Sequence, residues 1–134
     1  MKFVNVRQNR DVFGDGIHDD TKALQACLDA VKDGGTVYFP DGTYLLSGSL
    51  IFYSYQQLKF SDKAVLLRSA EEGKLTRYLL ASYSEPQWGG YSGTHDVVIS
   101  GGVFDGNGHS IEINNNYLFG FLEHGAVVKN LVLL

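Results

Sequence analysis

The chain has almost no cysteine, little proline and no long apolar run, and each shortage narrows what it can be. The single cysteine, Cys27, cannot close a disulfide within the chain, and no zinc-ligand spacing exists around it. It reads as a small buried apolar residue. His18, His95, His109 and His124 are scattered without close ligand spacing, so neither a metal nor a cofactor is expected. No segment approaches the roughly 20 apolar residues of a membrane helix, and no membrane partner is expected. A net charge of −4 argues against a nucleic-acid surface. The closely spaced glycines from Gly101 to Gly108 precede no helix that would receive a phosphate. The opening MKFVNVRQNR turns polar too early for a signal peptide.

What is present is glycine, with 16 residues against 2 prolines. That balance points to tight turns between short elements rather than to a Pro-rich linker. At 134 residues a single domain over positions 1–134, with a real core, is expected. The spacing predicts one helix over about 20–32. Ala23, Leu24, Cys27, Leu28 and Val31 recur at the steps of one helical face. Asp19, Asp20 and Thr21 offer N-cap oxygens, and Gly34-Gly35 offers a stop.

From position 36 to 134 the chain reads as short strands: Thr36 to Phe39, Thr43 to Leu46, Leu50 to Phe52, Leu58 to Phe60, Ala64 to Leu67, Tyr78 to Ala81, Val97 to Ser100, Gly102 to Asp105 and Ala126 to Leu134. Three segments, QLKFSDKAVLL, DVVISGGVFDG and AVVKNLVLL, share one pattern of strand, short polar corner and strand. A repeated bent unit is the mark of a solenoid, because each unit buries its face only against the next. Long insertions at Ser69 to Lys74 and Tyr83 to His95 break the period without breaking the pattern. A β-sandwich is the competing fold. It is disfavoured because hairpin turns are nearly missing, Pro40-Asp41-Gly42 being the one good candidate, and because Val127 to Leu134 looks buried on both faces except at its corner.

The order of motifs then becomes specific. Gly14-Asp15-Gly16, Asp19-Asp20-Thr21, the helix, Gly35-Thr36-Val37-Tyr38-Phe39-Pro40, Gly42-Thr43-Tyr44 and the later ISGGVFDGNG closely resemble the opening of the pectate-lyase-superfamily β-helix domain, shared by polygalacturonases and phage tail spikes. The family's Phe-Gly pair before the Gly-Asp-Gly turn is replaced here by Arg10-Asp11-Val12-Phe13, which leaves the register of the first strand open. The resemblance implies an all-β, right-handed parallel β-helix. It also implies that the helix lies as a cap across the first turn, where apolar residues and strand edges would otherwise be open.

The same resemblance sets an expectation for chemistry. The family's hydrolases carry Asn-Thr-Asp, Asp-Asp, Gly-His-Gly and Arg-Ile-Lys segments on middle turns, and none has a matching position here. Asp19-Asp20 belongs to the helix start, and Glu123-His124-Gly125 is only a distant echo. Glycoside hydrolysis needs two carboxyl groups about 5–10 Å apart. Asp105, Glu112 and Glu123 are the candidates by proximity, but Asp105 reads as a turn former and the glutamates as solvated. No catalytic residue is therefore assigned. A calcium loop from Asp15, Asp19 and Asp20 lacks the alternating ligands it would need. Asn114-Asn115-Asn116 reads as a corner or a short amide ladder.

One ligand-binding hint remains. In ASYSEPQWGGYSG, the rings of Tyr83, Trp88 and Tyr91 can stack on sugar faces while Glu85 and Gln87 take hydroxyl hydrogen bonds. The competing reading packs those rings against the protein itself. The expected function is the N-terminal segment of a polysaccharide-active β-helix protein, hydrolase or lyase, with its catalytic turns elsewhere and this segment inactive alone. The alternative is a structural or receptor-binding β-helix of a tail spike or fibre. The expected partner is a polysaccharide or oligosaccharide, with self-association through an open C-terminal end. The expected location is extracellular, cell-surface or virion.

Overall fold

The computed structural model describes residues 2–70, 78–83, 94, 96–108, 112–113, 127–129 and 132–133. The strands among them are β1 (Lys2–Asn5), β2 (Asp15–Asp19), β3 (Gly35–Phe39), β4 (Gly42–Leu46), β5 (Leu50–Phe52), β6 (Gln56–Phe60), β7 (Ala64–Arg68), β8 (Tyr78–Ser82), β9 (Val98–Ser100), β10 (Val103–Asp105), β11 (Glu112–Ile113), β12 (Val127–Lys129) and β13 (Val132–Leu133). Helix α1 (Thr21–Asp29) lies between β2 and β3, and a short 3-10 turn covers Val6–Gln8.

These strands form three sheets. Sheet A runs β1-β3-β6-β9-β12, sheet B runs β2-β4-β7-β10-β13, and sheet C runs β5-β8-β11. From β3 onward the chain visits A, B and C in the same cyclic order, so each strand pairs with the one three strands later. Every pairing among the described residues is parallel. That excludes the sandwich, because parallel neighbours cannot be joined by hairpins. Pro40-Asp41 is accordingly a corner between sheets, from β3 in sheet A to β4 in sheet B. The three repeated segments of the sequence are the units β6–β7, β9–β10 and β12–β13, and β3–β4 is a fourth.

Alternation decides which side of each strand is buried. Val37 and Phe39, Tyr44 and Leu46, Leu50 and Phe52, and Leu58 and Phe60 point into one core. Parallel register then stacks like on like: Val37 lies beside Leu58, Leu58 beside Ile99, and Tyr44 beside Leu66. At the A-to-B corner, Phe39 and Phe60 stack with centroids 4.1 Å apart, and Phe104 meets Phe60 edge-on at 5.4 Å. In β13, Val132 is 51% exposed.

The corner glycines are set by contact. Gly101 has φ +77°, and a Cβ there would sit 2.2 Å from the carbonyl oxygen of Phe60 in the turn below. Only a residue without a side chain lets the two backbones stack this closely.

The helix is shorter than its periodicity predicts. It ends at Asp29, and a looser turn with hydrogen bonds from Val31 to Leu28 and from Gly34 to Val31 carries the chain into β3. The helix start also differs from expectation. Asp20 occupies the N-cap position but makes no side-chain cap bond. Its fully buried carboxylate instead accepts the amides of Phe13 and Gly14, both at 2.9 Å. The local cap bond falls to Asp19, which accepts from the amide and hydroxyl of Thr21. Asp20 thus ties the segment before β2 to the helix, a long-range duty that a capping pattern does not reveal.

Leu24, Cys27, Leu28 and Val31 face the core as expected. The polar contacts of the helix are equally telling. Gln25 donates to the carbonyl of Ile51 at 3.0 Å and accepts from its amide at 2.8 Å. One side-chain amide thereby satisfies both backbone groups of a residue on the outermost strand of sheet C. Buried Gln56 returns the favour, donating to the carbonyls of Leu28 and Val31. The first strand's register is settled too: β1 pairs in register with β3, and β2 pairs with β4 with an irregularity between Asp15 and Asp19.

Candidate functional site

The aromatic hint in the sequence lands beside this helix–sheet junction. Tyr83 follows β8, and its amide donates to the carbonyl of Phe52 at 2.8 Å, which places it one turn of the chain beyond Tyr53. The two rings, both partly buried, lie 5.1 Å apart at an interplanar angle of 33°. Glu85, Gln87, Trp88 and Tyr91 lie outside the described residues.

The Tyr53 ring and the Tyr83 backbone are each tied to neighbours. The Tyr53 amide donates to Gln56 Oε1 at 2.9 Å, and Gln56 is itself anchored on the helix end. The Tyr53 hydroxyl donates to Asp29 Oδ1 at 2.7 Å, an oxygen that also accepts from Gln25 Nε2 at 3.0 Å. Burial raises the Tyr53 phenol to about 12, and the Asp29 hydrogen bond and negative charge push the same way. The carbonyl of Tyr83 accepts from the hydroxyl of Thr94, whose residue is buried. The result is a fixed pair of rings with a carboxylate at one rim. Such a surface can stack on the C–H face of a ring and accept hydrogen bonds from its hydroxyls.

Sequence reasoning found Tyr83 but not Tyr53, Asp29 or Gln25. Gln25 and Asp29 are not among the apolar residues that periodicity singles out, and Tyr53 sits in a short connection with no motif. Only the stacking of turns brings them to Tyr83.

The other polar residues have structural partners. Asp15 accepts the amides of Ile17 and His18 and meets His18 Nδ1 at 2.6 Å. The backbone amides of His18 and Ile17, with the His18 ring, lower its carboxyl to about 2. The His18 ring stacks on Phe13 at 3.9 Å. For Asp19, burial alone would raise the carboxyl, but hydrogen bonds from Ser47 and Thr21 outweigh it and hold the group below the usual range. Asp15, Asp19 and Asp20 thus serve three different partner sets. Asp105 is the turn former that its sequence suggests, accepting the Asn107 amide at 2.8 Å. Glu112 lies on a short strand, β11, that the sequence pattern does not predict. Asn114 to Asn116, Glu123, His95, His109 and His124 fall outside the described residues.

Comparison with known proteins fits this architecture. Residues 3–59 match the family model described as rhamnogalacturonase A/epimerase, pectate lyase-like. The chain is 34% identical over 130 residues to plasmin and fibronectin-binding protein A of Streptococcus pneumoniae, covering 90% of this chain and 16% of that protein. It is 35% identical over 111 residues to alginate lyase 7 of Azotobacter vinelandii, covering 74% of this chain and 12% of that protein. The solved family 28 exopolygalacturonase of Yersinia enterocolitica superposes with a TM-score of 0.65 at 29% identity, over 79% of this chain and 21% of that one. The chain therefore spans a small fraction of each relative. With motif order, parallel topology and these matches in agreement, the chain belongs to the pectate-lyase-like superfamily of β-helix proteins.

Proposed function

We propose that this chain is a segment of an extracellular or surface polysaccharide-active protein, folded as a closed right-handed β-helix with α1 as its cap. The observation that carries the fold part is the unbroken A, B, C order of parallel strands in register. A chain that returns to the same sheet at every third strand encloses its core by stacking. The cap rests on Leu24 and Leu28, fully buried on the helix, and on Gln25, whose amide satisfies the edge of sheet C. The function part rests on the Tyr53–Tyr83 pair, after which the sequence continues with Glu85, Trp88 and Tyr91. This segment contributes recognition, and catalysis by the whole protein, as hydrolase or lyase, uses turns other than these.

A second reading is that the whole protein is an adhesin or fibre whose β-helix presents a binding surface. The match over 90% of the chain to a plasmin and fibronectin-binding protein favours it. Glycan-array binding and reducing-end release by the purified chain separate the two. The first reading expects glycan binding without cleavage of polygalacturonate or alginate. Turnover abolished by Asp105→Asn or Glu112→Gln would instead place an active site within this chain. Retention of fibronectin with no glycan bound would select the adhesin.

A further inference from the structure

The surface at the helix–sheet junction has a charge as well as a shape. Tyr53 and Tyr83 present two tilted rings 5.1 Å apart. At their rim Asp29 is exposed, with its Oδ1 engaged by Tyr53 and Gln25. Among the described residues no hydrogen-bond donor meets Asp29 Oδ2, and the one ion pair is that of Asp15 and His18. The Asp29 carboxylate therefore has no cation in contact. A sugar seated on the rings would meet a negatively charged acceptor that takes hydroxyl hydrogen bonds strongly and repels a second carboxylate.

We infer that Tyr53, Tyr83 and Asp29 form a subsite for an uncharged, hydroxyl-rich sugar residue, in preference to a uronate. This rests on the carbohydrate-recognition reading and adds the substrate class. The rings supply stacking for the C–H face, and Asp29 Oδ2 accepts from a sugar hydroxyl. The Tyr53 hydroxyl and Gln25 amide fix the carboxylate before any ligand arrives, so little ordering cost is left for binding. With its phenol raised to about 12 by burial and by Asp29, Tyr53 stays a neutral donor at ordinary pH. A polymer that mixes neutral and acidic sugars would be read here at its neutral positions.

The experiment is titration of the purified chain with defined hexasaccharides, followed by NMR of the tyrosine rings. The neutral probes are mannohexaose, cellohexaose and galactohexaose, and the charged ones are hexagalacturonate and hexamannuronate. At least one neutral hexamer is expected to bind about tenfold more tightly than either uronate, a modest difference in free energy, and to shift the Tyr53 and Tyr83 ring signals. Asp29→Asn keeps the exposed side chain's shape and removes its charge. It is expected to weaken the neutral hexamer about tenfold and to leave uronate binding equal or stronger. Tyr53→Phe keeps the ring, frees the carboxylate and is expected to weaken the neutral hexamer by a smaller factor. Tighter binding of uronates by the unmodified chain, or an unchanged neutral-to-uronate ratio in Asp29→Asn, overturns the inference while the carbohydrate reading stands. Binding of neither class overturns both.

Discussion

The two flanks of the stack are built to different rules. From β3 to β10 the chain turns between sheets A and B through Pro40-Asp41, Ser61-Asp62-Lys63 and Gly101-Gly102, whereas residues 6–14 join β1 to β2. Leaving sheet C, it passes through Tyr53 to Tyr55 in one turn and through residues 83–97 in the next. The first flank is short because backbone lies on backbone there, with Gly101 against the Phe60 carbonyl and Phe39 on Phe60 just inside. The second flank has backbone contact as well, with the Gly35 amide on the Tyr55 carbonyl, yet its connection lengthens from three residues to fifteen with the parallel ladder intact. Functional variation collects where length is free, and the Tyr53–Tyr83 pair is on that side.

The sharpest test of what holds the stack lies in α1. Leu28 is fully buried on α1, and Leu28→Ala is expected to cost about 2–5 kcal/mol in chemical denaturation. An unchanged midpoint would mean the helix contributes little to the core it packs against. Next comes the tight flank. Gly101→Ala places a Cβ where the Phe60 carbonyl stands, at a φ of +77°. A loss of about 2–4 kcal/mol is expected, the upper part from the clash and the remainder from backbone strain. A mutant as stable as the parent would show that the corner can open, contrary to the close stacking described.

Tyr44 probes the same flank by pH. Its hydroxyl donates to the Pro40 carbonyl at 2.6 Å across the corner. Burial raises its phenol from the usual 10 to about 12, with Arg7 opposing. The folded state holds this proton more tightly than the unfolded one, so the contribution is complete below pH 10 and is lost between about 10 and 12. Tyr44→Phe should lose about 1 kcal/mol at neutral pH and show a flatter decline over that alkaline window. Equal slopes for the two proteins would mean that other groups govern the alkaline loss. The smallest effect belongs to the free flank. A Gly-Ser pair inserted after Tyr83 should change stability by less than about 1 kcal/mol, since loop closure entropy grows slowly with length. The same pair within Ser61-Asp62-Lys63 should cost several-fold more, and equal penalties at the two sites would erase the distinction.

Much of this was legible in the residues, and the reason is local. The helix face, the strands from β3 through β10 and the repeated corners follow from periodicity and glycine placement, which act within a few residues. The β2 and β11 strands escaped because their sequences, DGIHD and EI, carry no apolar alternation. Ladder bonds from a neighbouring turn hold them in place. The candidate site was half visible: Tyr83 stood out as an aromatic in a polar insertion, whereas Tyr53 and Asp29 join it only through stacking.

The sequence by itself determined the kind of object this is. A bent unit that cannot bury its own face demands another of its kind, and repeats of strand, corner and strand leave a parallel stack as the consistent answer. Tertiary structure alone decided the partners of its polar groups. Asp20 abandons the helix cap for the amides of Phe13 and Gly14, and Gln25 reaches across to pair with Ile51. Asp29, ending the same helix, reaches Tyr53. Hydrogen-bonding needs of buried backbone are settled by whatever the fold brings near, and nearness across turns is not written at any fixed spacing along the chain.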